Sequence, residues 1–600
     1  MTYAAPLKDM QFVLNEVAGL SRIAALPGGD AAEPELVAQV LEEADKLARE
    51  ELAPLNAAGD REGSVLENGV VRTPKGWQQA YRKFVDGGWN AVPFEAEHGG
   101  QGIPWVVATA IQEMWQSANM AFGLCPLLNQ GAVELLQAHA SPEQQRLFLP
   151  KMISGEWTGT MNLTEPQAGS DVGALRTRAV AENGQYRITG QKIFITYGDH
   201  DLTDNIIHMV LARTPDAPAG TRGISLFIVP KFLVGTDGRL QGRNDLRCVS
   251  LEHKLGIGAS PTAVMAYGDN GGAVGFLVGE ENRGLEYMFT MMNNARLNVG
   301  LQGVAIAERA YQQARDYARS RIQGRDLTSR KPDSVPIIHH PDVRRMLFTM
   351  KAGTEAARAL IYYAFAALDL ARRHPDAAER ARQQSVVDLL TPVAKAWCTD
   401  LGVEIASMGI QVHGGMGFIE ETGAAQHLRD ARILPIYEGT NGIQANDLVF
   451  RKIGRDSGES ARAFFDEIAT LEPALADAPG DDIASIGAQL AEGLKALRGA
   501  TDWVVATQRR EPAAAAAVAV PYLRLFGLVT GGFLMAKAAL AAQRALMAPS
   551  GGAPRDAAFH ETKIVTARFY ADHFLSQAPA LVYPVMNGAA STLGLIEDRF

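Results

Sequence analysis

Two textures alternate along the chain. From residue 36 to about 160, and again from 283 to 455, apolar residues return every three or four positions among charged ones, the spacing of amphipathic helices. Leu36 to Leu52 is one such stretch and Val106 to Leu136 another. Ser141-Pro142-Glu143 puts a capping residue, an N1 proline and an acidic first turn in order, which predicts a helix start. Arg283 to Arg321 predicts one long helix with Met288, Met292 and Val299 on its core face, and Ala352–Arg373 and Ser385–Met408 predict two more. Gly87 to Pro104, punctuated by glycine and proline, is loop.

Between these blocks the period falls to two. Tyr186–Gly190, Lys192–Thr196, Ile206–Ala212, Gly223–Val229 and Gly275–Gly279 are short β-rich runs with turn residues between them, and no useful helical stretch separates them. A mainly antiparallel β-domain follows, without βαβ units. Beyond residue 455 the pattern is helical again, with breaks near Pro479-Gly480 and between Pro549 and Pro554. The charge-free run Leu525–Ala536 falls short of the roughly 20 residues that span a bilayer and predicts a buried helix. The fold class is α+β, mainly helical. Its segments are an N-terminal extension (1–35), an N-terminal helical domain (36–160), a central β-domain (161–282), a helical bundle (283–455) and a C-terminal helical domain (456–600).

Composition narrows the function. With 47% hydrophobic and 21% charged residues the chain reads as a soluble globule, and its net charge of -10 gives no overall bias towards nucleic acid or anionic membrane. The C-terminal segment also holds more acidic than basic residues. Cys125, Cys248 and Cys398 are too scattered for a disulfide framework or a cysteine metal site, so no metal is expected. The Met1 end lacks a basic region followed by an apolar one, and a cytoplasmic location is expected.

No Gly-x-Gly-x-x-Gly between strand and helix, P-loop, His-Glu-x-x-His or Gly-x-Ser-x-Gly is present. What remains is a set of turn-rich segments at block boundaries. Leu163-Thr-Glu-Pro-Gln-Ala-Gly-Ser170 suits a loop that offers N–H groups and hydroxyls to a polar ligand, or a plain interdomain turn. Phe194 and Thr196 share a face at period two, able to stack on a planar ring and bond its edge; a core aromatic explains the run equally well. Arg321 ends the long helix, where it is free to meet phosphate or simply solvent. Gln411-Val-His-Gly414-Gly415 allows close backbone approach or ends a helix. Glu438, beyond Pro435 and before Gly439, sits on a turn with apolar neighbours. Partial desolvation there would make it a general base, and a solvated loop carboxylate is the other reading.

In this order, Thr164-Glu-Pro-x-Ala-Gly-Ser-Asp171, Lys192-Ile-Phe-Ile-Thr196, Arg296, Arg321, Gln411-x-x-Gly-Gly415 and Tyr437-Glu-Gly-Thr440 resemble the flavin-dependent acyl-CoA dehydrogenases, from about Trp89 to Arg451. The extended tail, Tyr3-Ala-Ala-Pro-Leu and Asn293-Asn-Ala-Arg296 are similar to that family's long subgroup, which includes enzymes acting on 3-(methylthio)propionyl-CoA. The resemblance implies the acyl-CoA dehydrogenase fold with an extra C-terminal domain, FAD as cofactor, and dehydrogenation of 3-(methylthio)propionyl-CoA or a fatty acyl-CoA to a trans-2-enoyl-CoA. Glu438 would take the α-proton while the β-hydride passes to the flavin. Leu163, Thr164, Phe194 and Thr196 would contact the flavin ring. Ser170 would sit where FAD and CoA meet, and Arg321, Gln411, Gly414, Gly415 and Thr440 would hold the rest of FAD, partly across a subunit boundary. Arg296 would meet the CoA end, and Tyr437 and Gly439 would line the substrate site. Electron-transferring flavoprotein as acceptor and a homodimer are implied as well.

Three positions depart from the family pattern: Phe194 replaces a frequent Trp, Asn293 an Asp, and Gly324 an aromatic. Other functions on this scaffold are a flavin oxidase or monooxygenase, which rapid reaction of the reduced protein with oxygen would reveal, and a non-enzymatic nucleic-acid binder, which the acidic tail disfavours.

Overall fold

The computed structural model describes residues 3–327, 333–548 and 556–600. The predicted break between Pro549 and Pro554 lies outside the described residues. Helix Pro34–Leu47 continues through one wider turn, Ala48–Leu52, which covers the first predicted helix. Helix α1 (Trp105–Ala118) is buried at every residue, its polar Gln112, Glu113 and Gln116 included. Asn119 caps α2 (Met120–His139), its side-chain oxygen accepting from the Phe122 N–H at 3.1 Å. At Ser141 the expected start is a full capping box with Gln144, opening α3 (Pro142–Ser154).

The β-domain has an eight-stranded sheet built from β1 (Trp157–Asn162), β2 (Arg178–Glu182), β3 (Gln185–Thr196), β4 (Asn205–Ala212), β5 (Ser225–Pro230), β6 (Leu246–Leu251), β7 (Thr262–Tyr267) and β8 (Ala273–Leu277). The order is β6-β7-β3-β8-β5-β4-β1, with β2 also paired to β3. All pairs are antiparallel except β1 with β4, where Thr158 faces Ile206. That parallel edge is absent from the sequence reading because β1 has no alternation: five of its six residues are buried.

The long predicted helix is α4 (Gly284–Ser320). The next two are longer than expected, α5 (Pro341–Arg373) and α6 (Ala377–His413), and α6 runs through Pro392 without a break. After the short α7 (Asn441–Asn446) come α8 (Asp481–Thr507), α9 (Ala519–Met547) and α10 (Ala557–His573). Helix α9 has the length and composition to cross a membrane, but 94% of its apolar window is buried inside the protein. It packs against α8, α10 and the bundle as a core helix.

A buried ionic network ties the segments together. Arg358 of α5 donates to Asp9 at 2.7 Å, to Glu113 of α1 at 2.6 Å and to Glu308 of α4 at 2.7 Å. Lys563 of α10 bridges Asp9 and Glu355, each at 2.6 Å.

Candidate active site

The turn after Leu434 carries the candidate base. Leu434 is fully buried and anchors it, and the Asn441 N–H closes it on the Pro435 carbonyl at 3.0 Å. Within the loop Glu438 and Gly439 take successive positive φ values of 56° and 82°. A non-glycine residue there is uncommon and strained, and such strain gathers at functional sites. Gly439 is required twice over: for its φ, and because a Cβ would lie 2.8 Å from the Gln444 Nε2. That amide donates to the Glu438 carbonyl at 3.1 Å, and the Thr440 hydroxyl caps α7 by accepting from the Ile443 N–H. The Tyr437 hydroxyl is pinned by Gln302 of α4. Among the described residues the Glu438 N–H donates to no protein acceptor, so it is available to a ligand.

Glu438 is half-buried. Burial pushes its carboxyl up to about 7, against the pull of Arg296 and Lys395. Arg296, on α4, is itself buried. Its guanidinium lies 3.9 Å from Asp447 and 5.9 Å from the Phe289 ring, and its Nε has no hydrogen-bond partner among the described residues. It therefore lies inside, between Asp447 and the base.

A second cluster sits on the β-domain. Ile193 and Phe194 together face Val264, a bulge in the β3–β7 pairing, and Phe194 has φ 59°. The bulge falls before Phe194, so the period of two that the sequence predicts holds from Phe194 to Thr196: Phe194 is 58% exposed, Ile195 is buried and Thr196 is half-buried. The Ile193 N–H donates to the Thr164 carbonyl at 2.9 Å, which brings Leu163 and Thr164 beside this ring. Glu165 fixes that loop. Burial works to raise its carboxyl, but Lys192 at 2.8 Å, with Thr177 and the Arg176 N–H, brings it down to about 2. An exposed aromatic face edged by two threonine hydroxyls fits a planar, polar-edged ring system such as a flavin. Ser170 lies on the exposed part of the same loop.

The third cluster is elsewhere. Tyr317 stacks on His413 with ring centroids 4.4 Å apart, bringing the ends of α4 and α6 together. Arg321 and Gln411, Gly414 and Gly415 are thus neighbours on an exposed corner. Gly414 has φ 60°, and a Cβ on either glycine would meet nothing of this chain. The room those glycines leave faces outward. The donor set, an exposed guanidinium beside open backbone, suits a phosphate. Arg296 and Arg321 are separated by 25 residues of one helix, about 38 Å at 1.5 Å per residue, so the third cluster stands well apart from Arg296 beside the base. Gly324, with φ 72°, is required by the hairpin that follows Arg321, which accounts for the missing aromatic.

Lys395, Asn441 and Asp447 belong to the base's surroundings and were missed in the sequence. Asn441 follows the Tyr437-Glu-Gly-Thr440 motif directly and was within reach; Lys395 and Asp447 carry no local signal.

This arrangement, three helical blocks around a β-domain with a carboxylate on the turn after the bundle, defines an acyl-CoA dehydrogenase. Family models match along the chain: the acyl-CoA dehydrogenase N-terminal domain over 35–156, middle domain over 160–285, C-terminal domain over 282–452, and an acetyl-CoA dehydrogenase C-terminal-like domain over 464–595. The chain belongs to the acyl-CoA dehydrogenase family and is an oxidoreductase of that family. It is 51% identical to 3-methylmercaptopropionyl-CoA dehydrogenase of Ruegeria pomeroyi over 97% of both chains. It is 35% identical to the broad-specificity linear acyl-CoA dehydrogenase FadE5 of Mycobacterium tuberculosis, over 96% of this chain and 95% of that one. Among solved structures, an acyl-CoA dehydrogenase from Bacillus anthracis complexed with FAD shares the fold, with a TM-score of 0.73 at 19% identity over 92% of this chain and 88% of that one.

Proposed function

We propose that the protein is an FAD-dependent dehydrogenase of short acyl-CoA thioesters, with 3-(methylthio)propionyl-CoA as the first substrate to test. The observation that carries the reading is Glu438: a half-buried carboxyl held near 7, on a strained turn whose own N–H is free. The substrate rests on the Ruegeria relative; the broad-specificity relative makes linear acyl-CoAs the second class. The residue roles and the domain division at 36, 161, 283 and 456 are part of the same proposal.

Leu163, Thr164, Phe194 and Thr196 would hold the flavin ring, and Ser170 would stand where cofactor and CoA meet. Thr440 would contact the cofactor beside the base. FAD, when bound, accepts the β-hydride. The chain supplies the rest. The α-proton of a thioester is weakly acidic, so charge developing on the carbonyl oxygen needs a donor already in place. The free Glu438 N–H would donate to that oxygen while the carboxylate would take the proton from Cα. Tyr437 and Gly439 would line the substrate site beside the base, and the Tyr437–Gln302 hydrogen bond holds the turn in place. Arg296 keeps positive charge beside the carboxylate and would meet the CoA end. Arg321, Gln411, Gly414 and Gly415 would bind the cofactor of a second copy, which makes a homodimer part of the proposal. Three buried free cysteines agree with a reducing, cytoplasmic location.

The test is anaerobic mixing of the FAD-loaded protein with an acyl-CoA series. Flavin bleaching by 3-(methylthio)propionyl-CoA or butyryl-CoA is the expected outcome; a flavin left oxidised by every acyl-CoA contradicts the proposal. Slow reaction of the reduced protein with oxygen, and fast reaction with electron-transferring flavoprotein, separates a dehydrogenase from an oxidase.

A further inference from the structure

Lys395 has no part in the chemistry described so far. It lies about half way from the start of α6 to Gln411 and is fully buried, yet it forms no salt bridge among the described residues. A buried ammonium without a carboxylate contact is costly. Among the described residues its one hydrogen bond runs from Nζ to the Asn441 side-chain oxygen at 2.8 Å. Asn441 is three residues past Glu438, and its backbone N–H closes the base's turn on Pro435. The same side-chain amide donates to the α6 side chains Thr399 at 3.0 Å and Asp400 at 2.7 Å. Every polar atom of the Asn441 side chain is therefore spent on fastening the turn to one face of α6, with the lysine at the inner end.

We propose that Lys395 is a positioning residue for the base: its ammonium, seated on Asn441, fixes the Pro435–Asn441 turn against α6 and keeps the Glu438 carboxylate ionised. The proposal rests on Glu438 being the base. The charged and titratable groups around the pair are few. From α4 comes Arg296, from the segment after α7 Asp447 and Arg451, from the turn itself Tyr437, from α6 Asp400, and on Asp400 act Arg432 and, from α9, Arg524. Of these, Arg296 and Lys395 act directly on Glu438, and Arg296 already has Asp447 as a partner. Lys395 has no such competitor within ion-pair contact. Consistent with this geometry, burial pulls its ammonium down to about 7, Glu438 and Asp400 hold it up, and Arg296 adds to the fall. The asparagine link passes on orientation without passing on a proton, since an amide does not titrate in this range. The two groups thus act as a fixed pair whose protons are coupled.

The experiment compares Lys395→Met and Lys395→Arg with the parent protein, each loaded with FAD. Flavin reduction by acyl-CoA is followed from pH 5.5 to 9. In Lys395→Met the acid limb of the rate constant should move to higher pH by about one unit, with substrate binding changed much less, because one of two neighbouring charges is gone. Lys395→Arg should bring the limb back towards its original place. A second readout needs no catalysis. The folded-state value of Lys395 lies below its unfolded value of about 10.4, so the unfolded chain binds the extra proton and the penalty is relieved as pH rises above about 7. Any advantage in Tm of Lys395→Met over the parent should shrink between pH 7 and 9.5. An unmoved acid limb and a pH-independent Tm difference in a well-folded Lys395→Met protein would overturn the proposal. If Glu438→Gln bleaches its flavin normally, the reading of the base has failed instead; a dead Glu438→Gln with an unmoved Lys395→Met profile removes only Lys395.

Discussion

At the scale of single residues, the turn spends stability to hold its carboxyl where the chemistry needs it. Glu438 must be ionised to accept a proton, and burial holds its folded-state value up at about 7. The rate of flavin reduction at low acyl-CoA should therefore rise from pH 6 to pH 8, as a stopped-flow profile would register. Stability runs the other way. The folded value lies above the unfolded one of about 4.3, so the folded protein takes up a proton more readily in that window and loses stability as pH climbs from about 4.5 to 7. Glu438→Gln removes this dependence, and its Tm relative to the parent should be higher at pH 8 than at pH 5. Gly439→Ala forces both a positive φ and a contact with Gln444; about 1 kcal/mol or more should be lost in urea unfolding. Glu438 was legible in the sequence because Pro435 and Gly439 bracket it. Lys395 was not: within a helical run a lysine reads as solvated surface, and only the packing of α4 and α7 against α6 buries it. Phe194 was half legible. The aromatic stood out, but the bulge that exposes it depends on Val264 in a partner strand.

At the scale of elements, the sequence predicted helices better than it predicted what joins them. The long period of α4 and the Ser141 cap are local signals and survived intact. The Arg358 and Lys563 network is not local: Asp9, Glu113, Glu308, Glu355 and Lys563 are ordinary charged helix residues until five segments converge. Asp9 sits between two cations that hold its carboxyl well below the usual range despite burial. Removing Lys563 leaves Asp9 and Glu355 short of a partner in the interior. Lys563→Met should cost about 3–5 kcal/mol in denaturant unfolding and loosen the N-terminal segment to proteolysis first.

At the scale of the whole molecule, the proposed cofactor site falls in two separated parts of one chain, the Phe194 ring platform on the β-domain and the Arg321 corner, which lies about 38 Å along α4 from Arg296. Two copies arranged so that one's corner meets the other's platform would complete both. The exposed apolar residues Met416 and Phe418 beside Gly414 and Gly415 fit such a contact. Phe418→Asp should then lower sedimentation mass and FAD content together, whereas Arg321→Ala should lower FAD content alone. The central claim, that Glu438 takes the α-proton, has a direct test. Purified Glu438→Gln, loaded with FAD and mixed anaerobically with 3-(methylthio)propionyl-CoA, should keep its flavin and its substrate binding and lose flavin bleaching by several orders of magnitude. Bleaching at the parent's rate would contradict it.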